Sequence, residues 1–211
     1  MIVTAGTIGV GKSTFTEIIS NELGTKPFYE PVGDNPVLPL YYQNPKKYGF
    51  LLQIYFLNKR FNLIKQAYKE NNNVLDRSIY EDYLFTQINY ENGNMAKQEF
   101  DVYKDLLDNM MQEIDGLPKK APDLLVYLYA DFDTILERVA MRGREFEQID
   151  TNPELRDYYK TLWEKYHQWY EDYDKSAKIK IDVGKHDLNT EDGKNYVIQM
   201  VKSELKKQHI L

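Results

Sequence analysis

The sequence predicts an α/β fold in which a parallel sheet of five strands is covered by helices on both faces. Five short apolar runs, at residues 2–5, 27–29, 74–75, 124–129 and 179–181, alternate with longer segments of helical periodicity. Short buried strands that alternate with helices are typical of parallel sheets in three-layer folds. A glycine-rich loop also joins the first strand to the first helix, as in many nucleotide-binding α/β folds.

The chain of 211 residues is predicted to form a single domain over residues 1–211, because it contains no repeat, low-complexity stretch or Gly/Ser linker. Its net charge of −6 argues against a nucleic acid polymer or an acidic membrane as a partner. The absence of cysteine excludes disulfides and thiolate metal sites. We find neither a signal peptide nor an apolar run long enough to span a membrane, so the sequence indicates a cytoplasmic protein.

The glycine loop at residues 6–14 reads GTIGVGKST and contains the spacing G-x-x-x-x-G-K-S. Glycines allow backbone N–H groups to surround an anion, and a helix beginning near Lys12 directs its positive dipole end to the same place. The pattern predicts a nucleotide triphosphate site. Its expected members are Gly6, Thr7, Gly9, Gly11, Lys12, Ser13 and Thr14. Lys12 should reach the outer phosphates, and the Ser13 hydroxyl should bind Mg²⁺.

Carboxylates follow the second and third predicted strands, at the edge of the sheet where ligands bind in folds of this kind. Glu30 stands directly before a proline, and it is either a general base or a solvated loop residue. Asp76 ends the third strand, where P-loop proteins hold Mg²⁺ through a carboxylate, and Arg77 follows it. Ser78 and Glu81 match a capping box for the next helix, so we interpret both as structural.

Three arginines cluster after the fourth strand: Arg138, Arg142 and Arg144. Arg138 and Arg142 share a helix face, where like charges repel unless an anion lies between them. The cluster predicts a mobile arginine lid that closes over a transferring phosphoryl group. The alternative interpretation is a solvated basic face.

Two helices carry long apolar stripes. The first stripe consists of Phe50, Ile54, Leu57, Phe61 and Ile64, and the second of Leu155, Tyr159, Leu162, Tyr166, Trp169 and Tyr173. Gln53 and Arg60 lie on the flank of the first stripe, where an amide and a guanidinium could bind the edge of a nucleobase. Each is otherwise a boundary residue satisfied by a neighbour. Asp82, in the first turn of another helix, is accounted for by the helix dipole.

Taken together, these motifs resemble the deoxynucleoside kinase family over residues 1 to about 182. The motifs are GTIGVGKST, the EP pair at 30–31, YYQNPKKY with LLQIYFLNKR, DRSIYED and RGREFEQ. Within the family the sequence is most similar to bacterial deoxyadenosine and deoxyguanosine kinases. The resemblance implies a P-loop kinase fold with an arginine lid. It also implies ATP- and Mg²⁺-dependent phosphorylation of the 5′-hydroxyl of deoxynucleosides in nucleotide salvage, with purines favoured and deoxycytidine as a further candidate.

The resemblance also implies a role for each matching residue. Glu30 would accept the 5′-hydroxyl proton, with Arg77, Arg142 and Arg144 as the other catalytic groups, and Asp76 would lie near Mg²⁺ with Ser13. ATP would contact the glycine loop, Arg138 and Arg142. The deoxynucleoside would contact Glu30, Tyr42, Gln53, Arg60, Arg77, Asp82 and Glu147. Within that set, Tyr42 and Glu147 would bind the 3′-hydroxyl, and Arg60 with Asp82 would distinguish these substrates from thymidine. The family further implies a homodimer or a heterodimer with a related subunit.

Two other functions fit parts of the pattern. Thymidylate-type nucleoside monophosphate kinases share the glycine loop, an Asp-Arg pair and an arginine lid, but they need an additional arginine for the acceptor phosphate. Arg60 is the obvious spare arginine, and its pairing with Asp82 favours base recognition instead. A non-catalytic P-loop switch protein is the second alternative. It is disfavoured because Phe61 occupies the place of the aspartate in the N-K-x-D motif of guanine-specific switches.

Overall fold

Five parallel strands form one sheet in the computed structural model, which describes residues 1–30, 32–67, 73–115 and 122–210. The strands are β1 (Ile2–Ala5), β2 (Pro27–Phe28), β3 (Val74–Asp76), β4 (Leu124–Tyr129) and β5 (Ala177–Asp182). Their order in the sheet is β2-β3-β1-β4-β5, and each neighbouring pair is parallel. The predicted fold class is therefore confirmed, with β3 and β5 longer than the predicted runs and β2 one residue shorter.

Helices lie between these strands, as the periodicity predicts, and one more follows the last strand. They are α1 (Lys12–Leu23), α2 (Leu38–Gln43), α3 (Pro45–Ala67), α4 (Asp82–Glu91), α5 (Lys97–Asp115), α6 (Phe132–Arg142), α7 (Glu154–Asp172) and α8 (Glu191–Lys207). Two short 3₁₀ turns, Ile79–Glu81 and Glu145–Glu147, precede α4 and α7. Across the described ranges, no helix is both long and apolar enough to cross a bilayer.

The alternation of side chains along the strands divides the apolar core into two layers. Val3 of β1 packs with Leu57 of α3 and Leu162 of α7 on one face of the sheet. Ile2 of the same strand packs with Phe15 of α1 on the other face, together with residues of α6 and α8. The sheet is thus the middle of three layers, as the sequence predicts.

Helix α3 buries polar side chains as well as apolar ones, which differs from the simple stripe that the sequence predicts. Leu57 and Ile64 are buried as expected, whereas the other three stripe residues are partly exposed. Gln53 and Arg60, predicted at the flank, are only 4% and 5% exposed. The reason is that α3 packs against α2, α4 and α5, so more than one of its faces is covered.

The sheet topology determines where a ligand can bind. Strand β1 lies between β3 and β4. Strands β2 and β3 are on one side of it and strands β4 and β5 are on the other, so the strand order reverses at β1. Ligands of open α/β sheets bind beyond the carboxyl ends of the strands at such a point. The glycine loop after β1, Glu30 after β2 and Arg77 after β3 all lie at this edge.

Candidate active site

A cavity of about 350 Å³ opens at the carboxyl edge of the sheet. Its lining includes almost every residue that the sequence predicts for the site: Gly9, Gly11, Lys12, Ser13, Thr14, Glu30, Tyr42, Gln53, Arg60, Asp76, Arg77, Asp82, Arg138, Arg142, Arg144 and Glu147. The two predicted residues outside the lining, Gly6 and Thr7, are buried at the start of the loop. Loop and helix residues up to 138 positions apart in the chain therefore converge on one space.

The glycine loop adopts a backbone that other residues could not follow. Gly6 has a φ of 146°, and a Cβ atom there would lie 2.6 Å from the carbonyl oxygen of Leu128. Gly11, with a φ of 101°, precedes α1 in the left-handed region. The Nζ atom of Lys12 donates to the carbonyl oxygens of Gly6 and Thr7, both at 2.9 Å. Burial lowers the pKa of Lys12 to about 7, which a bound polyanion would offset.

Glu30 is held between two arginines. The Nε atom of Arg77 donates to its Oε2 atom at 3.1 Å, and the guanidinium of Arg60 pairs with its Oε1 atom. Burial alone would raise the pKa of Glu30, but Arg77 and Arg60 outweigh it and lower the pKa to about 2. The carboxylate, whose side chain is 13% exposed, is therefore ionised and can accept hydrogen bonds at neutral pH.

Arg77 has a left-handed backbone with a φ of 101°, which is rare outside glycine. Its backbone N–H donates to the carbonyl oxygen of Thr4 at 3.0 Å. Burial alone would lower the pKa of Arg77, but the neighbouring carboxylates, Glu30 first, raise it well above its usual value. The guanidinium also lies over the ring of Phe85, 4.7 Å from its centroid. The structure thus holds a permanent positive charge in a fixed orientation beside Glu30.

Asp76 and Ser13 form a candidate magnesium site. The Ser13 hydroxyl donates to Oδ2 of Asp76, whereas Oδ1 is buried and accepts no hydrogen bond. Burial raises the pKa of Asp76, so the carboxylate would gain from a cation. In the part of the chain that the structure describes, no group of three or more acidic, His or Cys side chains could hold a metal alone. This donor set suits Mg²⁺, which keeps several waters and takes phosphate oxygens as further ligands.

The predicted base-binding residues lie together on the α3–α4 side of the cavity. Asp82 is fully buried, and its carboxylate pairs with the guanidinium of Arg60. The same guanidinium holds Glu30, so Arg60 joins the predicted base site to the carboxylate beside Arg77. The Thr86 hydroxyl donates to the backbone carbonyl oxygen of Asp82 at 2.9 Å, and Gln53 lines the cavity wall nearby.

In this structure one of the three predicted lid arginines contacts backbone carbonyls, and the other two share a carboxylate. Arg138 donates to the carbonyl oxygens of Val10 at 3.1 Å and Val183 at 2.8 Å, so it joins the glycine loop to the end of β5. Arg142 and Arg144 both pair with the buried carboxylate of Glu147, Arg144 at 3.2 Å. The expected basic cluster is therefore neutralised in part by a carboxylate that lines the same cavity.

Sequence reasoning missed the role of Glu81 and Tyr166. The predicted capping box is present, because the Ser78 N–H donates to Oε2 of Glu81 at 2.7 Å and Ser78 Oγ accepts from the Tyr80 N–H. The other oxygen of Glu81, however, contacts Arg77 and Tyr166. No signal in the sequence indicates this, because the capping box accounts for Glu81 and the apolar stripe accounts for Tyr166.

We expect the free energy of unfolding to depend on pH through Glu30. Its folded pKa of about 2 is below the usual 4.5, so the ionised group stabilises the fold above pH 4.5 and loses that effect as pH falls toward 2. The difference in unfolding free energy between the parent and Glu30→Gln should be constant from roughly pH 7 to 5 and shrink below that. Urea denaturation across this range measures the difference.

The matched control is Asp34→Asn, which changes an exposed carboxylate in the loop after Glu30. Its unfolding free energy should follow that of the parent at each pH. A difference between the parent and Glu30→Gln that stays constant down to the acid transition would contradict the predicted linkage.

Comparison with known proteins identifies the family. Residues 2–206 match the family model described as deoxynucleoside kinase. The chain is 54% identical over 207 residues to a deoxyguanosine kinase of Lactobacillus johnsonii, covering 98% of this chain and 92% of the relative. It is 51% identical over 190 residues to a deoxyadenosine kinase of Lactobacillus acidophilus, covering 90% and 88%.

Solved structures give the same result. The chain superposes on a deoxyadenosine kinase from M. mycoides with bound dATP, with a TM-score of 0.78 and 31% identity over 97% of this chain and 98% of that one. The family that the motifs resemble is thus confirmed, and the two alternative functions have no support from these matches. The chain belongs to the deoxynucleoside kinase family and is a phosphotransferase.

Proposed function

We propose that the protein transfers the γ-phosphoryl group of ATP to the 5′-hydroxyl of deoxynucleosides, purine deoxynucleosides above all, in nucleotide salvage. The observation that carries this proposal is the ionised carboxylate of Glu30, held by two arginines in the cavity that the glycine loop also lines. Relatives named as deoxyguanosine and deoxyadenosine kinases, at 54% and 51% identity, support the purine preference.

The glycine loop would bind the triphosphate. Its N–H groups and the N-terminus of α1 favour negative charge, and Lys12 would exchange its two carbonyl partners for the outer phosphates. Asp76 and Ser13 would hold Mg²⁺, which would neutralise charge on the transferring group. Because Lys12 has a pKa of about 7 without a ligand, a bound polyphosphate would restore its full charge.

Glu30 would position the acceptor hydroxyl and take its proton. A carboxylate with a pKa of about 2 is a weak base at neutral pH. Phosphoryl transfer through a loose transition state demands orientation of the nucleophile more than early proton removal. Arg77, fixed beside Glu30, would contribute positive charge at the same point.

The remaining predicted residues would select and enclose the nucleoside. Gln53, Arg60 and Asp82 offer donors and acceptors to the edge of a base, whereas Tyr42 and Glu147 would bind the 3′-hydroxyl. Arg142 and Arg144 would move from Glu147 to the transferring phosphoryl group as the substrates bind. Arg138 would complete the lid from its position beside the glycine loop.

Initial rates with the four deoxynucleosides and their 5′-monophosphates test the proposal. The parent should be fastest on purine deoxynucleosides, and Glu30→Gln should lower kcat by roughly 10²- to 10⁴-fold, because it removes the proton acceptor. The dissociation constant for the deoxynucleoside should change only a few-fold. Asp34→Asn, the exposed control, should keep the parent rate. Faster turnover of monophosphates, or a Glu30→Gln rate within threefold of the parent, would refute the assignment.

The Arg60–Asp82 pair should determine the ranking of bases. We expect Arg60→Met with Asp82→Asn to shift the preference toward thymidine, because a neutral site no longer favours a base edge that presents both donor and acceptor groups. The overall rate should also fall, since Arg60 holds Glu30 as well. The control pair is Lys165→Met with Glu91→Gln, which removes a partly exposed ion pair between α7 and α4. An unchanged ranking in the Arg60/Asp82 variant would show that the pair does not select the base.

We further propose that the protein is a dimer, either of two copies or with a related subunit. Leu51 of α3 is 49% exposed, which leaves part of that helix uncovered by this chain. Sedimentation at micromolar concentration should give twice the mass of the 25.0 kDa chain, and a monomer would contradict the homodimer. The cytoplasmic location indicated by the sequence stays a prediction.

A further inference from the structure

Glu81 is a fully buried carboxylate that accepts four hydrogen bonds from three parts of the fold, namely the glycine loop, the turn after β3 and α7. Its Oε2 atom accepts from the backbone N–H of Ser78 at 2.7 Å, which is the capping interaction. Its Oε1 atom accepts from the backbone N–H of Gly6 at 3.2 Å, from Nη1 of Arg77 at 3.2 Å and from the hydroxyl of Tyr166 at 2.5 Å. One oxygen therefore caps a helix, and the other connects the glycine loop to Arg77 and to α7.

The Tyr166 hydroxyl lies between Glu81 and Arg77. It accepts a hydrogen bond from Nη1 of Arg77 at 2.7 Å. Because a guanidinium has no acceptor, the single hydroxyl proton must point to Glu81. Burial raises the pKa of Tyr166 well above its usual value, so the hydroxyl keeps this proton. The direction of each hydrogen bond in the Arg77–Tyr166–Glu81 network is thus fixed by chemistry.

This network determines the orientation of Arg77. The guanidinium contacts Glu30 through Nε, and Nη1 is held by Tyr166 and Glu81 on the other side. The shorter of the two Nη1 contacts is the one to Tyr166. The backbone of Arg77 is in the left-handed region, which costs free energy for a residue other than glycine. Such a conformation persists only where the surrounding contacts hold the residue in place. Without the Tyr166 hydroxyl, Nη1 would keep only the 3.2 Å contact to Glu81.

We propose that Tyr166 and Glu81 are positioning residues for phosphoryl transfer. They hold the guanidinium of Arg77 where its Nε atom can donate to Glu30. Glu81 also connects Arg77 to Gly6, the first glycine of the glycine loop. The inference rests on the proposed function, because Arg77 and Glu30 act on the acceptor hydroxyl there. Neither Tyr166 nor Glu81 needs to touch a substrate for this role.

A double-mutant cycle between Tyr166 and Arg77 tests the proposal. Tyr166→Phe should lower kcat by about 10- to 100-fold, because a misplacement of about 1 Å costs that much, and should leave the KM values for ATP and the deoxynucleoside within about threefold. In an Arg77→Lys background, which lacks Nη1, the same change should lower kcat by less than about twofold. Equal losses in the two backgrounds, a rise in KM alone, or a Tyr166→Phe rate within twofold of the parent would overturn it.

The matched control is Tyr170→Phe, one turn along α7. Tyr170 packs on Tyr127, as Tyr166 does, but its hydroxyl does not belong to the Arg77–Tyr166–Glu81 network. The kcat of the Tyr170→Phe variant should stay at the parent value. A loss of kcat equal to that of Tyr166→Phe would show that the Tyr166→Phe loss comes from packing rather than from the position of Arg77.

A second variant, Glu81→Gln, keeps the shape of the side chain at position 81. It should lower kcat with little change in KM, as Tyr166→Phe does. A Glu81→Gln rate equal to that of the parent would remove Glu81 from the proposal.

Failure of the proposed function gives a different result. A parent that phosphorylates no deoxynucleoside refutes the function, and the network is then judged by urea denaturation of the same four proteins. The shift in midpoint caused by Tyr166→Phe should be smaller in the Arg77→Lys background than in the parent background. Equal shifts would show that Tyr166 does not act through Arg77 and would overturn the inference without reference to turnover.

Discussion

Charge balance within one cavity is the constraint on which the rest of the site depends. Apart from the lid arginines and Glu147, three cations lie among four carboxylates with little exposure, and all of them except Glu81 line the cavity: Lys12, Arg60 and Arg77 with Glu30, Asp76, Glu81 and Asp82. An ion removed from water costs several kcal/mol unless it is paired and hydrogen-bonded. Each arginine here therefore contacts two carboxylates. Asp76 contacts neither arginine in this way, and its Oδ1 atom, which is buried and accepts no hydrogen bond, is where the proposed Mg²⁺ would bind.

The same constraint connects the two halves of the proposed reaction. Glu81 accepts from Gly6, where the phosphate loop begins, and from Arg77, which holds Glu30. The parts of the cavity proposed to bind the phosphoryl donor and the acceptor consequently contact the same buried carboxylate. Arg60 extends the connection to the proposed base site, because its guanidinium pairs with both Asp82 and Glu30. Moving any one of these charged groups would weaken the hydrogen bonds and ion pairs of its neighbours, because those contacts offset the desolvation of each buried group.

Local sequence patterns predicted most of the fold, because strands, helices and the glycine loop are encoded over short stretches. The five strands and the burial of Leu57 and Ile64 follow from apolar periodicity. The burial of Gln53 and Arg60 does not, because it depends on α4 and α5 covering a second face of α3. The contacts of Glu81 with Gly6 and Tyr166 join residues 75 and 85 positions apart. Periodicity carries no information on such pairings.

Glu81 shows why a correct local interpretation can be incomplete. A carboxylate has two oxygens with about four acceptor positions, and a capping box uses one oxygen. When the side chain is fully buried, the other oxygen must also find donors, or its desolvation would destabilise the fold. The turn after β3 lies beside β1, so the donors within reach are those of the glycine loop and of Arg77, together with the Tyr166 hydroxyl of α7. Burial at the carboxyl edge of the sheet thus gives a helix-capping residue further contacts with Gly6, Arg77 and Tyr166.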